Sequence, residues 1–432
     1  MRYLIIVALL TLPSVLHAAD RPHRQPNVLY LLADDLGYAD AGFQGCSDVP
    51  TPNLDSIAKN GLRFTSGYVT APVCSPSRAG LLTGRYQTRF GHEFNHPLAD
   101  RAPEGLPVDE KTMGDWLKAA GYTTAHIGKW HVGNPKLPQF TPTSRGFDDD
   151  VIMPGQNKLP PLLVFRNGKR EAANDPYVDL AMGREAATYI DSHQSAPWFL
   201  YVAYLTPHVP LQTPPGSEEP FAGIASEKRR KNAAMISLLD QSVGRILDAL
   251  RESGQEDRTL IIFHSDNGAP FGSGSYNTPF RGYKSTLREG GIREPFAMQW
   301  KGTLPAGLVV DVPVISLDML PTALAAANVK VPADAQLDGV NLLPFLTGSS
   351  DTPPERELYW RYGEQYAIRQ GDWKLVRTME QVTRPPVLTF GLYNLSQDAS
   401  EEHDLSAEHP DKVEALQSLW EKWNANNVPA LW

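Results

Sequence analysis

Asn27-Val28-Leu29-Tyr30-Leu31-Leu32-Ala33, running directly into Asp34-Asp35, is the stretch on which the fold turns. A short continuous apolar run has no polar face to give to water, so it reads as a strand covered on both sides. Three later segments follow the same pattern. Tyr122 to Ile127, preceded by an amphipathic stretch with Trp116 and Leu117, runs into Lys129 and His131. Pro197 to Tyr204 ends in Pro207-His208, and Thr259 to Phe263 ends in Ser265-Asp266-Asn267-Gly268 after a helix expected from about Lys231 to Leu250. This alternation predicts an α/β fold with a large, mostly parallel central sheet flanked by helices. Such sheets bind ligands beyond the carboxyl ends of their strands. Four distant segments are therefore expected to deliver Asp, Lys, His and Asn side chains to one site.

The chain has 432 residues, which suits one large domain with a smaller companion. Lys and Arg number 40 against 49 Asp and Glu, a net charge of −9, so no global positive field exists to collect nucleic acid or an anionic membrane. Two cysteines exclude a disulfide framework and a cysteine-rich zinc site. Arg2, the apolar run Tyr3 to Leu16 and the small residues Ala18 and Ala19 have the order of a secretory signal peptide over residues 1–18. Pro13 inside that run argues against a membrane anchor, and no later apolar segment is long enough to span a bilayer. A secreted or periplasmic protein with no membrane insertion after cleavage is expected. The main α/β domain is expected over 19–346. Thr347 to Pro354 reads as a linker of turn formers. Over 347–432, the short runs Leu358–Tyr362, Tyr366–Arg369, Trp373–Arg377 and Leu392–Leu395 predict a small antiparallel sheet, closed by an amphipathic helix at Asp411–Asn424.

The most specific string is Cys74-Ser75-Pro76-Ser77-Arg78-Ala79-Gly80-Leu81-Leu82-Thr83-Gly84-Arg85. A lone cysteine is usually an inert core residue. This one stands in a string that resembles the signature of the type I sulfatases of the alkaline-phosphatase superfamily, which begins Cys-x-Pro-Ser-Arg and continues to Thr-Gly-Arg. The resemblance implies that a maturation enzyme oxidises Cys74 to Cα-formylglycine, whose hydrate is a geminal diol. A thiolate attacking sulfur would leave a stable thiosulfate ester, whereas a diol attacks with one hydroxyl and expels sulfate by collapsing through the other. Cys46 has no motif around it and reads as structural.

The same resemblance implies a metal site at Asp34, Asp35, Asp266 and Asn267, with Cys74 in its modified form. Three carboxylates and an amide oxygen are hard donors suited to Ca²⁺ or Mg²⁺. It further implies that Arg78 and Lys129 hold the diol, that His131 takes the second hydroxyl's proton, and that His208 and Lys284 bind sulfate while one of them protonates the leaving alcohol. Weaker matches are Thr51-Pro52-Asn53-Leu54-Asp55, Arg145-Gly146-Phe147-Asp148 and Glu289 to Pro295. The look is closer to polysaccharide and glycosaminoglycan sulfatases, so the implied substrate is a sulfated carbohydrate, with His92, Asn95, Arg281 and Arg288 as candidate contacts. Two other readings stay open at this point. One is a phosphonate or phosphodiester hydrolase of the same superfamily; the other is a non-catalytic carbohydrate-binding protein in which Cys74 is never oxidised.

N-terminal sequencing of exported material should find a chain that begins near Ala19; material still beginning at Met1 would count against the signal peptide.

Overall fold

The computed structural model describes residues 25–95, 105–153, 155–380 and 387–432; the signal peptide expected at 1–18 lies outside the described residues. Ten strands form the central sheet: β1 (Asn27–Asp34), β2 (Leu62–Phe64), β4 (Thr123–Gly128), β5 (Asp149–Ile152), β6 (Leu162–Arg166), β7 (Lys169–Ala173), β8 (Trp198–Pro207), β9 (Thr259–Ser265), β10 (Phe296–Gln299) and β11 (Leu308–Val310). β3 (Gly67–Tyr68) and β12 (Val314–Ile315) pair separately. The order across the large sheet is β11-β2-β10-β9-β1-β8-β4-β5-β6-β7. Its middle block, β9-β1-β8-β4-β5, is parallel throughout. The four strands read from apolar runs, β9, β1, β8 and β4, are consecutive in that block, and their carboxyl ends lie side by side.

Alternation along these strands divides the core in two. Leu29, Leu31, Leu200, Val202, Ile261 and Phe263 pack against the helices Pro52–Asn60, Val178–Ser192 and Glu227–Glu252. Val28, Tyr30, Leu32, Phe199, Tyr201, Leu260 and Ile262 face the helices Cys74–Thr83, Met113–Ala119 and Met319–Ala326. The helix expected from Lys231 to Leu250 runs from Glu227 to Glu252, because Ser226 caps it by accepting a hydrogen bond from the Arg229 N–H. The edge hairpin β6–β7 was not read from the sequence. Its signal is Asn167-Gly168, both at positive φ (48° and 77°), the pair that a tight two-residue hairpin turn favours. No helix among the described residues is long and apolar enough to cross a membrane.

The C-terminal strands β13 (Glu357–Tyr362), β14 (Gln365–Gln370), β15 (Trp373–Met379) and β16 (Leu388–Asn394) form an antiparallel meander. One face lies under the helix Pro410–Asn424, with Leu416 on Ile368, Leu375 and Leu392. The other face shares a cluster with earlier segments of the chain, in which Trp360 and Val376 meet Tyr68, Tyr86, Leu287 and Ile292. The seam also contains buried charge. Lys374 Nζ lies 2.8 Å from Glu289 and 3.0 Å from Glu401, all three side chains fully buried. Arg293 reaches Glu289 at 3.1 Å, and the Tyr68 hydroxyl donates to Glu289 at 2.6 Å.

Removing one partner of such a cluster strands the others without water. Lys374→Met should therefore cost about 3–5 kcal/mol of stability, seen as a lower midpoint in urea unfolding, and an unchanged midpoint would show that the seam tolerates Glu289 and Glu401 without the lysine.

Candidate active site

In a regular strand adjacent residues face opposite sides of the sheet. The end of β1 breaks that rule: its register with β8 slips between Leu32 and Asp34, and Asp35 takes a left-handed φ of 67°. Aspartate tolerates this conformation better than most residues. As a result both carboxylates reach one place, where Asp34, Asp35, Cys74 and His208 set donor atoms within 4.8 Å of one another. β9 contributes from the other side. The Asp266 N–H donates to Ala33 O at 3.0 Å, and Asn267 Nδ2 donates to Asp35 Oδ1 at 2.7 Å. At the end of β4, Gly128 has φ 111°, and a Cβ there would lie 2.1 Å from Ala203 O, so only glycine lets the chain turn beside β8. The turn sends Lys129 back over β1, where its Nζ meets the two oxygens of Asp34 at 2.9 and 2.7 Å.

Cys74 is the first residue of a helix that Gly84, at φ 64°, closes by donating its N–H to Gly80 O. All ten residues of this helix are buried. One turn in, the fully buried Arg78 guanidinium donates to Asp266 Oδ2 through Nε (2.9 Å), with Nη2 2.7 Å from the same oxygen. It also donates to Lys129 O at 3.1 Å and lies 3.7 Å from Asp34. Lys284 Nζ sits 2.5 Å from Asp35 Oδ1 and 3.1 Å from Cys74 Sγ. His208 donates from Nδ1 to Val209 O at 2.5 Å, because a carbonyl can only accept, and this leaves Nε2 facing Asp35 Oδ2 at 3.7 Å.

The charges explain the protonation states. Burial raises the Cys74 thiol, and Asp266 adds to that against the pull of Lys129 and Lys284, so it is pushed up to about 12. A thiol so protonated is a poor nucleophile. Burial resists ionisation of Asp34, yet Lys129, His208, Arg78 and Lys284 hold its carboxyl well below the usual range. Burial, helped by Lys129 and Arg78, holds His131 well below the ordinary histidine value, so its imidazole is neutral. Both His131 ring nitrogens are buried with no hydrogen-bond partner among the described residues. Lys284 loses to burial but gains more from Asp35, Cys74 and Asp34, and remains charged.

Asp35 Oδ2 and Asn267 Oδ1 are likewise buried without hydrogen-bond partners among the described residues. Two unpartnered oxygens amid three carboxylates fit a hard divalent cation. The converging set differs from the sequence expectation in detail. His208 joins it, while Asp266 turns one oxygen to the Arg78 guanidinium and accepts from the Asp35 N–H with the other at 3.2 Å.

The four candidate substrate contacts lie in different settings. Asn95 Oδ1 accepts from the Ser75 N–H at 3.0 Å, beside Cys74. Arg281 is exposed over less than half of its side chain and pairs with Glu380 at 2.7 Å. His92 is buried, 2.6 Å from the Ser75 hydroxyl and edge-on to Trp432. Arg288 is buried at the C-terminal seam, paired with Glu380 and lying over Tyr393. These last two face protein and not solvent, which sequence spacing cannot report. A residue not singled out from the sequence is Lys158, whose N–H donates to Gln212 Oε1 at 2.9 Å and whose Nζ donates to Pro210 O at 3.2 Å. It braces the segment that carries His208, and nothing in its local sequence marks it.

Residues 26–329 match the Sulfatase family model. The chain belongs to the sulfatase family. Residues 283–427 also match a second model, the C-terminal region of N-sulphoglucosamine sulphohydrolase. Among curated relatives, N-acetylgalactosamine-6-sulfatase of Canis lupus familiaris is 35% identical, covering 83% of this chain and 73% of that protein. The sulfatase YdeN of Escherichia coli K12 is 30% identical over 94% and 87%. Among solved structures, Ps i-CgsB superposes with a TM-score of 0.88 at 34% identity, covering 95% of both chains, and it has also been solved with a neocarrahexaose bound. The protein is thus a sulfuric ester hydrolase with the α/β sulfatase fold.

Calcium at about a hundred times its dissociation constant should stabilise this sulfatase by about 2.7 kcal/mol, read as a rise in Tm that a chelator reverses. Asn267→Ala should lose that increment; a metal-independent Tm in the parent would rule out the cation site.

Proposed function

We propose that this sulfatase removes sulfate from a sulfated polysaccharide or glycosaminoglycan, using Cα-formylglycine formed from Cys74 and a bound Ca²⁺ or Mg²⁺. The observation that carries the reading is the setting of Cys74. A buried, protonated side chain stands at the focus of three carboxylates and three fixed cations, with a neutral histidine beside them. That setting keeps a thiol protonated, at about 12, and so a poor nucleophile, which favours a modified residue 74 as the reacting group.

The hydrate of formylglycine supplies two hydroxyls on one carbon, one to attack sulfur and one through which sulfate leaves. A divalent ion supplies Lewis acidity toward sulfate oxygens and offsets their charge. The chain's own residues do the rest. Asp34, Asp35 and Asn267, with Asp266 behind them, hold the ion. Arg78 and Lys129 orient residue 74. His131, neutral and with neither nitrogen engaged among the described residues, takes the proton whose removal expels sulfate. His208 Nε2 and Lys284 Nζ face the place where sulfate would lie, and one of them gives the leaving alcohol its proton.

The charge balance supports this division. Asp34, Asp35 and Asp266 are matched by Arg78, Lys129 and Lys284, so a divalent cation leaves the site positive where an anionic ester must dock. The similarity to the canine N-acetylgalactosamine-6-sulfatase and the neocarrahexaose complex of Ps i-CgsB favour a carbohydrate sulfate as substrate. Asn95 and Arg281 remain the contacts available to it. The reading includes export behind the 1–18 signal, maturation by a formylglycine-generating enzyme, and division into a catalytic domain at 19–346 and a subdomain at 347–432.

The peptide containing residue 74 should be about 18 Da lighter than its thiol form in active enzyme, and activity should scale with that fraction. Cys74→Ser keeps one hydroxyl and has no second one for collapse, so it should show at most a single turnover, with an adduct of about 80 Da at residue 74 in intact-protein mass spectrometry. His131→Ala should likewise stall after one event. Steady turnover by Cys74→Ser at the parent rate would overturn the mechanism.

A further inference from the structure

Phe271 is 82% exposed, the most exposed large hydrophobic side chain among the described residues. It lies four residues beyond Asn267, on the loop that leads from the end of β9 to Lys284. Its ring meets that of Tyr283 with centroids 5.3 Å apart and planes tilted by 46°. Tyr283 immediately precedes Lys284, whose Nζ is 3.1 Å from Cys74 Sγ. Both rings are thus carried by the loop that delivers Lys284 to Cys74.

The loop beneath Phe271 is firmly held. Asn277 clasps Ala269 in both directions, accepting from its N–H at 2.9 Å and donating to its carbonyl at 3.0 Å. The same carbonyl accepts from the Lys284 N–H at 3.1 Å. Ser273 Oγ donates to Pro270 O at 2.9 Å, and Lys228 Nζ donates to Gly272 O at 3.1 Å. Arg229 donates to Gly274 O at 3.1 Å and stacks over Tyr276 at 4.1 Å. The Tyr283 hydroxyl is anchored on Glu380 O at 3.1 Å. An apolar ring held out in water on a braced loop gains nothing for the fold. It is preorganised to receive a flat apolar surface, and the C–H face of a pyranose ring is such a surface.

We propose that Phe271, backed by Tyr283, is a stacking platform for a sugar residue adjoining the one that carries the scissile sulfate. The site would then read at least two residues of its glycan, preferring oligosaccharides to small sulfate esters. This rests on the carbohydrate-sulfatase reading above.

The test compares parent, Phe271→Ala and Phe271→Trp on 4-nitrophenyl sulfate and on two hexasaccharides, one from carrageenan and one from chondroitin 6-sulfate. Binding of each hexasaccharide is measured by calorimetry and desulfation by sulfate release. Phe271→Ala should weaken binding of at least one hexasaccharide about five- to tenfold, chiefly in KM where turnover is seen. Phe271→Trp should restore it, and 4-nitrophenyl sulfate hydrolysis should stay at the parent level. Equal affinity of parent and Phe271→Ala for both hexasaccharides, no binding of either by the parent, or an equal loss on 4-nitrophenyl sulfate would overturn the platform. A Phe271-dependent affinity in a parent that releases sulfate from neither hexasaccharide would uphold the platform and sink the carbohydrate-sulfatase reading.

Discussion

The site depends on one buried guanidinium. Arg78 has no access to water, so it must find its partners within the protein. It finds them on three strand ends: Asp266 after β9, Asp34 at the end of β1 and the Lys129 carbonyl after β4. A planar fork of five donors can bridge three acceptors from different directions, which the point charge of a lysine cannot. Because Arg78 lies one helical turn from Cys74, the same contacts set where residue 74 stands. The packing of the signature helix on Tyr30, Leu32 and Tyr201 and the electrostatics at its start are thus one constraint.

Around that joint, carboxylates and cations are crowded to a degree that only mutual pairing permits. Asp34 is held ionised by the neighbouring Lys129, Arg78 and Lys284 against the effect of burial. The fields that keep Asp34 charged also help burial keep His131 neutral, since Lys129 and Arg78 disfavour proton binding at both groups, which leaves a carboxylate ionised and an imidazole uncharged. Acid and base roles follow from the shared field, not from separate devices at each residue.

The C-terminal sheet belongs to the same argument. The segment after Lys284 is tied to β14 and β15, with Gln365 donating to Ser285 O at 3.0 Å, the Leu287 N–H donating to Thr378 at 2.8 Å, and Glu289 held by Lys374. Ser285, at φ 76°, donates its N–H to Pro72 O, beside the start of the signature helix. The small sheet therefore acts as the backing that holds one cation of the site against Cys74.

The sequence by itself determined the strands and what stands at their ends. Val28 to Ala33 has no polar face, so it must be covered on both sides, and such a strand belongs to a parallel sheet whose carboxyl end carries chemistry. The Cys74–Arg85 string and the paired Asp34-Asp35 and Asp266-Asn267 were legible for the same local reason: motif and position coincide within a few residues. Tertiary structure alone decided which polar side chains face the site and which face the protein. Arg281 and Arg288 look alike in sequence, yet one is exposed while the other is buried against Tyr393 in the seam. Lys158 is unremarkable in its own segment and braces the His208 loop from a distance of 52 residues along the chain. Direction and long-range partnership depend on how separate elements pack, and no local pattern of residues encodes a contact between segments that meet only after folding.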